Sequence, residues 1–424
     1  MTATISPIHA VTISTHDLNA TRKLFTTMFG MEVVADWSLD AAAAQLWGMA
    51  ENTVAQCLWL QTPGAQHGAL RLVQFAASPE PANAPRPYDF GYIKNLDFFT
   101  DDVAAQYERF TAAGYRFLAP PVTYPLSWSQ AMTATEAHLP IADGVKLSLA
   151  QVSAAPRRVF GESDHAAPFT EIAAATQIVA DYDRAVDFYC TAFDCVPSTP
   201  ATTDEPAFIA ALKLPAATRL RMSFIGTPQA VGGKLGLVAY EGPNLSDAQS
   251  VSAQRRPPQR GAVMLTFECR NLDFRFALAC AHGATSLAAP RMLMLPPFGL
   301  VRAATVLSPD GVMLELIEPL QAEPAFVAIA SLADLPDGGM TRVTAPRIGH
   351  VLLHRRGAHV FAWPDRCPHL NAPLSQGRLN EGVVTCPWHG WQLNLATGKV
   401  TGCARQADPL RVKVANETIY LADS

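Results

Sequence analysis

The sequence predicts an α+β protein that ends in a small all-β domain. Three observations carry that expectation. A strand–helix–strands pattern recurs along the first three quarters of the chain, and two Pro/Ala-rich breaks interrupt it. The last hundred or so residues hold short strand-like runs around paired cysteines and histidines.

The chain has 424 residues, 49% of them hydrophobic and 16% charged, with a net charge of −5 and 8 cysteines. At roughly 150 residues per domain this length corresponds to two or three domains. The apolar content lets each bury a core, which excludes wholesale disorder. The mild acidic balance argues against nucleic acid or an anionic membrane as the main partner. No apolar run approaches the roughly 18 residues of a membrane span. Residues 1–10 lack a basic segment followed by an apolar one, so no secretory signal is expected. Scattered cysteines in so long a chain do not read as a disulfide framework. The expectation is a soluble cytoplasmic protein with reduced thiols.

The breaks are Val152–Phe169, with Pro156, Gly161 and Pro168, and Glu318–Phe326, with Pro319 and Pro324. Read as linkers, they give domains over 1–155, 165–320 and 325–424. The first two blocks repeat each other. Apolar alternating runs, Ile8–Ser14 and Ile172–Val179, precede helices that align Asn19–Gly30 with Asp183–Asp194. Leu18, Phe25, Met28 and Phe29 share one helical face, and Asp17 stands where an N-cap belongs. Further on, Ala112–Tyr115 matches Ala281–Ala284. The turns at Asp143-Gly144 and Asp310-Gly311 each open an alternating strand. Pro-rich loops, Ser78–Pro87 and Gly242–Pro258, halve each block, so the economical reading is four βαβββ units.

That arrangement resembles the vicinal oxygen chelate superfamily of glyoxalase, bleomycin-resistance and extradiol dioxygenase proteins over about residues 5–320. The resemblance implies two such domains, most like those of extradiol ring-cleavage or 4-hydroxyphenylpyruvate dioxygenase-like enzymes. It also implies metal ligands on the first and last strands of the units. Carried over residue by residue, these positions fall at His9, Asn95 and Ser148 in the first domain, where the histidine alone survives. In the second they fall at Ala173, Met264 and Glu315, where the glutamate alone survives. A further carboxylate position falls at Arg71 and Arg221, and a guanidinium is no metal ligand. Neither triad is complete, so a mononuclear metal such as Fe(II) lacks its ligand set.

What lines the first domain in this reading is His9, Arg71, Asn95, His138 and Ser148. Such a pocket suits an anionic or phenolic small molecule, with His9 and His138 as proton-transfer candidates and Arg71, Asn95, Ser148, Arg221 and Glu315 as substrate-binding candidates. The bland alternative is that each histidine is a hydrogen-bonded structural residue and that Glu315 pairs with Arg302 or another base.

The C-terminal block carries Cys367-Pro-His369 and, after 16 intervening residues, Cys386-Pro-Trp-His389, each after a strand-like run (Val360–Trp363 and Gly382–Thr385). This is similar to the Rieske ferredoxin family over about 325–424. The resemblance implies a 2Fe-2S cluster in which two thiolates hold one iron and two neutral imidazoles the other. A Cys2His2 zinc site uses the same residue types. Zinc fingers, however, place their histidines on a helix and segregate them from the cysteines, whereas each loop here contributes one of each. Gly377 and Gly390 would let the backbone turn closely around the inorganic core. Leu370 and Trp388 occupy the loops where respiratory-type Rieske proteins carry extra cysteines. The chain ends 35 residues after His389, unlike oxygenase catalytic subunits with their mononuclear-iron domain.

A cluster that carries one electron requires a donor and an acceptor. The first expectation is an oxidoreductase in which the tandem module binds a small aromatic or phenolic substrate and the cluster supplies single electrons. A second is an electron carrier between an NAD(P)H-dependent reductase and a separate oxygenase, with the tandem module for docking. A third is an extradiol-type dioxygenase reactivated by its Rieske domain. Homo-oligomerisation is implied by the resemblance alone.

Overall fold

The computed structural model describes residues 5–422 except 78, 80–84, 127–128, 154, 164–166, 198–199, 205, 207–208, 210–212, 229, 321–325, 347, 358, 369–370, 389, 402–408 and 416. It forms two compact units, Met1–Leu320 and Gln321–Ser424.

In the first unit the βαβββ repeat occurs four times. The first copy is β1 (Ile5–Ser14), α1 (Leu18–Met28), β2 (Glu32–Ser38), a short helix α2 (Ala41–Leu46), β3 (Ala55–Gln61) and β4 (Ala69–Phe75). The second is β5 (Tyr92–Phe99), α3 (Val103–Ala112), β6 (Val122–Leu126), β7 (Ser129–Pro140) and β8 (Lys146–Val152). The third is β9 (Ala174–Ile178), α4 (Tyr182–Ala192), β10 (Val196–Pro197), β11 (Ala201–Thr203), β12 (Arg219–Gly226) and β13 (Lys234–Glu241). The fourth is β14 (Gly261–Cys269), α5 (Leu272–Ala281), β15 (Thr285–Leu295), β16 (Gly299–Leu307) and β17 (Met313–Pro319). Each repeat helix starts at a side-chain cap. Asp17, Asp102, Asp181 and Asn271 accept from the backbone N–H of Ala20, Ala105, Arg184 and Phe274, satisfying a donor that the first turn leaves open.

The strands do not assemble in chain order. One sheet runs β15-β16-β17-β14-β1-β4-β3-β2 and the other β10-β12-β13-β9-β5-β8-β7-β6, with β11 also on β12. The first copy therefore joins the fourth, and the second joins the third, along antiparallel seams β1–β14 and β5–β9. Each sheet thus takes one half from each of the spans 1–155 and 165–320. Repetition shows which segments are alike, but adjacency in the chain does not decide which edges pair. One apolar core runs between the sheets and helices, from Phe25 and Phe29 through Phe98 and Phe169 to Phe188, Phe193 and Phe267.

The second unit consists, among the described residues, of three small antiparallel sheets and no α-helix. They are β18 (Phe326–Ser331) with β25 (Val412–Ala415) and β26 (Thr418–Ala422); β19 (Met340–Ala345), β20 (Gly349–Arg356) and β21 (His359–Pro364); and β22 (Arg378–Asn380), β23 (Val383–Thr385) and β24 (Gln392–Asn394).

Cutting the chain at residue 160 should expose both seams. A fragment of residues 1–155 is expected to aggregate or to lack a cooperative melt by circular dichroism. Co-expressed with residues 165–320 it should be recovered as a folded complex. A monomeric 1–155 fragment with a cooperative transition would contradict the pairing.

Candidate functional site

In the second unit, Cys367 and Cys386 open two loops of the same build. The N–H of Cys367 donates to the Ala372 carbonyl at 2.8 Å, and that of Cys386 to the Trp391 carbonyl at 2.7 Å. In return, the N–H of Asn371 reaches the Cys367 carbonyl at 2.9 Å, and that of Gly390 the Cys386 carbonyl at 3.1 Å. The fifth residue of each loop has positive φ, 55° at Asn371 and 74° at Gly390, which is why an asparagine and a glycine stand there. Both cysteines are buried and neither is in a disulfide. They share a core with Trp363, Leu374, Val384 and Leu393. Asp365 braces the first loop, accepting from the Ser375 N–H at 2.7 Å and hydroxyl at 2.6 Å. A Cβ on Gly377 would lie 2.2 Å from the Thr385 carbonyl oxygen, so this position tolerates no side chain. His369 and His389, the expected imidazole ligands, lie outside the described residues. Two matched loops, each presenting a buried thiol to one core, fit a 2Fe-2S group, with Cys367 and Cys386 as the thiolate pair.

The first sheet closes over its own concave face. Arg71 on β4 and Glu315 on β17 are 0% exposed and form a two-pronged ion pair, with Nη1 3.2 Å from Oε1 and Nη2 on Oε2. The Trp47 indole donates to Glu315 Oε1 at 2.8 Å and the Thr266 hydroxyl to Oε2 at 2.8 Å. Arg71 lies over the rings of Trp47 and Trp59. Burial alone would raise the Glu315 carboxyl, but Arg71, with Trp47 and Thr266, outweighs it and holds the group below its usual range. Trp47 follows α2, which packs on β15 and β16 and fills the hollow. The one surviving glutamate of the expected triads is thus fully engaged, and a guanidinium stands beside it. This donor set does not fit a metal.

His9 sits at the margin of that hollow, with ring centroids 5.1 Å from Phe298, 5.8 Å from Trp59 and 5.7 Å from His67. Burial first, and His67 second, push its pKa down to about 3, so the ring is neutral. Its Nδ1 lies 3.8 Å from Glu268.

The second sheet differs. Its concave face gathers Lys94, Asn95 and Asp97 from β5, Glu136 and His138 from β7, Lys146 and Ser148 from β8, and Thr176 from β9. Asp97 accepts from the Asn95 amide and, at 3.3 Å, from the Thr176 hydroxyl. Tyr124 donates to Glu136 at 2.6 Å, Lys94 donates to the Tyr240 hydroxyl at 2.7 Å, and His138 Nε2 lies 3.5 Å from Glu136. The side chains of Glu136 and His138 are 27% and 38% exposed, whereas Asp97 is 7% exposed, at the floor. Burial, then Glu136, push the Asp97 carboxyl up to about 7 against Asn95, Thr176 and Lys146. Burial likewise brings Lys94 and Lys146 down to about 8 and His138 to about 4.

The five residues expected in one pocket are therefore divided. His9 and Arg71 belong to the first sheet with Glu315, and Asn95, His138 and Ser148 to the second. Arg221 is in neither hollow. It pairs with Asp183 at 2.8 Å, lies over Tyr182 on α4, and stands on β12, the last strand but one of its copy. The last-strand counterpart of Arg71 is on β13, where Gly236 faces Thr176. Glu315 pairs with Arg71 rather than Arg302, which is held by Asp273 and Glu318. Lys94, Asp97, Glu136 and Lys146 went unread in the sequence. The signal was there: Asp97 lies two residues from Asn95, Glu136 two from His138 and Lys146 two from Ser148, the spacing that puts side chains on one strand face.

Two measurements check these environments. Replacing Arg71 with Met strands a buried carboxylate and should cost about 3–5 kcal/mol in urea denaturation, most of it recovered in the Arg71→Met/Glu315→Met double variant. For Asp97, the folded pKa lies above the unfolded value of 3.8, so its contribution is full at low pH and is lost as pH rises through about 7. Asp97→Asn should flatten the fall in stability between acid and neutral pH by roughly 2–4 kcal/mol.

Residues 325–415 match the Rieske [2Fe-2S] domain family, and residues 7–141 match the Glyoxalase/Bleomycin resistance protein/Dioxygenase superfamily. The 3-phenylpropionate/cinnamic acid dioxygenase ferredoxin subunit of Photorhabdus laumondii is 39% identical over 101 residues, which are 23% of this chain and 92% of that protein. Human apoptosis-inducing factor 3 is 34% identical over 99 residues, 23% of this chain, and the chain spans only 16% of its length. Crystalline glyoxalase I from Zea mays, at 15% identity, superposes with a TM-score of 0.51 over 75% of this chain and 93% of its own, a likeness of fold alone. With its paired cysteine loops, the C-terminal domain belongs to the Rieske [2Fe-2S] ferredoxin family, and residues 7–141 of the preceding module match the glyoxalase/bleomycin resistance/dioxygenase superfamily.

Proposed function

We propose that the chain is a Rieske oxidoreductase whose tandem module holds a small aromatic or phenolic molecule on the second sheet, with electrons reaching the cluster from an NAD(P)H-dependent reductase. The observation that carries the reading is the position of Tyr240. Tyr240 lines an open cavity of about 290 Å³ with Tyr88, Phe90, Gly242, Leu245 and Ser246, and its hydroxyl accepts from Lys94 in the charged cluster. An aromatic-lined hollow beside a few placed polar groups is the composition of a small-molecule site. Ring burial would come from the aromatic side, and orientation from Lys94, Lys146 and the neutral His138.

The cluster, when bound, supplies one-electron transfer at a potential raised by its neutral imidazole ligands. Cys367, His369, Cys386 and His389 are the residues that would hold it. The first sheet contributes no reacting group in this reading, because Arg71 and Glu315 satisfy each other. An extradiol mechanism would need the carboxylate that Arg71 occupies. The carrier reading draws on the ferredoxin likeness, which spans nearly all of a dioxygenase ferredoxin subunit.

Anaerobically purified protein should contain two irons per chain, with a rhombic electron paramagnetic resonance signal after dithionite, and Cys367→Ser should lose both. Catechol and 3-phenylpropionate should bind by titration calorimetry, at least about tenfold more weakly to Lys94→Met and His138→Ala, with the cluster signal unchanged. Binding that ignores both substitutions, or no binding, would leave the carrier reading in its place.

A further inference from the structure

The floor of the second hollow holds groups that simple ligand binding does not call for. Asp97 and Glu136 are two carboxyls on one concave face, with the ammonium groups of Lys94 and Lys146 close enough to act on both. Every charged group of the cluster comes from β5, β7 or β8, so its geometry is set by strand hydrogen bonds rather than by loops. The surrounding elements add Tyr124 from β6, Thr176 from β9 and Tyr240 from β13, all hydroxyl groups. His138 Nδ1 is buried and has no hydrogen-bond partner among the described residues.

We propose that this cluster is a proton-transfer site for a phenolic hydroxyl group, in which Asp97 accepts the proton and Lys94 and Lys146 face the phenolate that remains. The proposal rests on the reading of the second sheet as the substrate site and assigns its chemistry. In the step, the phenol O–H bond breaks and an O–H bond forms on the Asp97 carboxylate. The electron pair stays on the phenolate oxygen, so no oxidant or reductant is consumed. Two carboxyls cannot both stay ionised cheaply in one buried cluster, and the deeper one becomes the proton holder. Its carboxyl is pushed up to about 7, where it exchanges protons readily at neutral pH. Asn95 and Thr176 each donate to Asp97 and fix its orientation, acting as positioning residues. A phenolate gives up an electron more easily than its phenol, which makes this step a useful preliminary to one-electron chemistry.

The test uses the full-length holoprotein and 3-nitrophenol, a weaker acid whose phenolate absorbs at longer wavelength than the phenol. Slightly above neutral pH, where Asp97 is mostly ionised and the free probe mostly protonated, saturating protein is expected to turn on the phenolate band. Asp97→Asn mimics the protonated acid and cannot take up a proton, so it should keep the phenolate band but release about one proton per bound probe to the buffer, where the parent retains it. Lys146→Met should lower the bound phenolate fraction by about tenfold, the equivalent of one pKa unit, and both variants should retain the far-ultraviolet dichroism and cluster signal of the parent. A probe that binds as the neutral phenol, or equal proton release by the parent and Asp97→Asn, overturns the proton-transfer assignment while sparing the binding site. Absence of any binding overturns the site itself, and the assignment with it.

Discussion

The seams between β1 and β14 and between β5 and β9 are the constraint on which the first unit depends. Each βαβββ copy has one apolar sheet face to bury and an open edge on its first strand. Those edges close by pairing the outer copies with each other and the inner copies with each other. Phe98 of the second copy and Phe267 of the fourth then lie in one core with Phe25 and Phe188, so the two sheets stand or fall together. An unpaired first strand would leave a row of backbone donors and acceptors facing the core with nothing to meet them.

That pairing decides what faces what across each hollow, and the two hollows have diverged from one plan. Thr266 donates to Glu315 in the first sheet and Thr176 to Asp97 in the second, but Asp97 itself stands at the place of Thr266, and Ser148 at that of Glu315. In the first, a fourth-strand arginine neutralises the carboxylate and two tryptophans enclose the pair. In the second, the corresponding strands hold Ser148 and Gly236, so no guanidinium reaches Asp97, and the lysines that approach it come from neighbouring positions. The same scaffold thus makes a closed ion pair in one place and a cluster of two carboxyls and two amines in the other. Buried ion pairs contribute little net stability once desolvation is counted, so the first hollow is best understood as a filled core position.

In the Rieske domain the physical principle is repetition at a smaller scale. Two six-residue loops, closed by the same pair of backbone hydrogen bonds, bring a thiol each into a common apolar core. The likeness to a dioxygenase ferredoxin subunit extends over this domain and ends there.

The sequence by itself determined the four-copy repeat, the cap of the first helix and the cysteine and histidine spacing, because each is written in local chemistry. Asp17 can cap only the helix that follows it, and Cys367 and Cys386 belong to loops a few residues long. What the tertiary structure alone decided was partnership. Nothing near Arg71 in the chain announces Glu315, 244 residues away, and nothing near Asn95 shows that it shares a face with Thr176 rather than with His9. Arg221 aligned with Arg71 by its neighbours, Leu-Arg in both, yet it stands one strand earlier in its copy and turns to α4. Local sequence fixes which residues share a strand face. Which strand lies opposite is settled by burying the apolar faces of all four copies at once, and that choice separated one expected pocket into a closed ion pair and an open ionisable site.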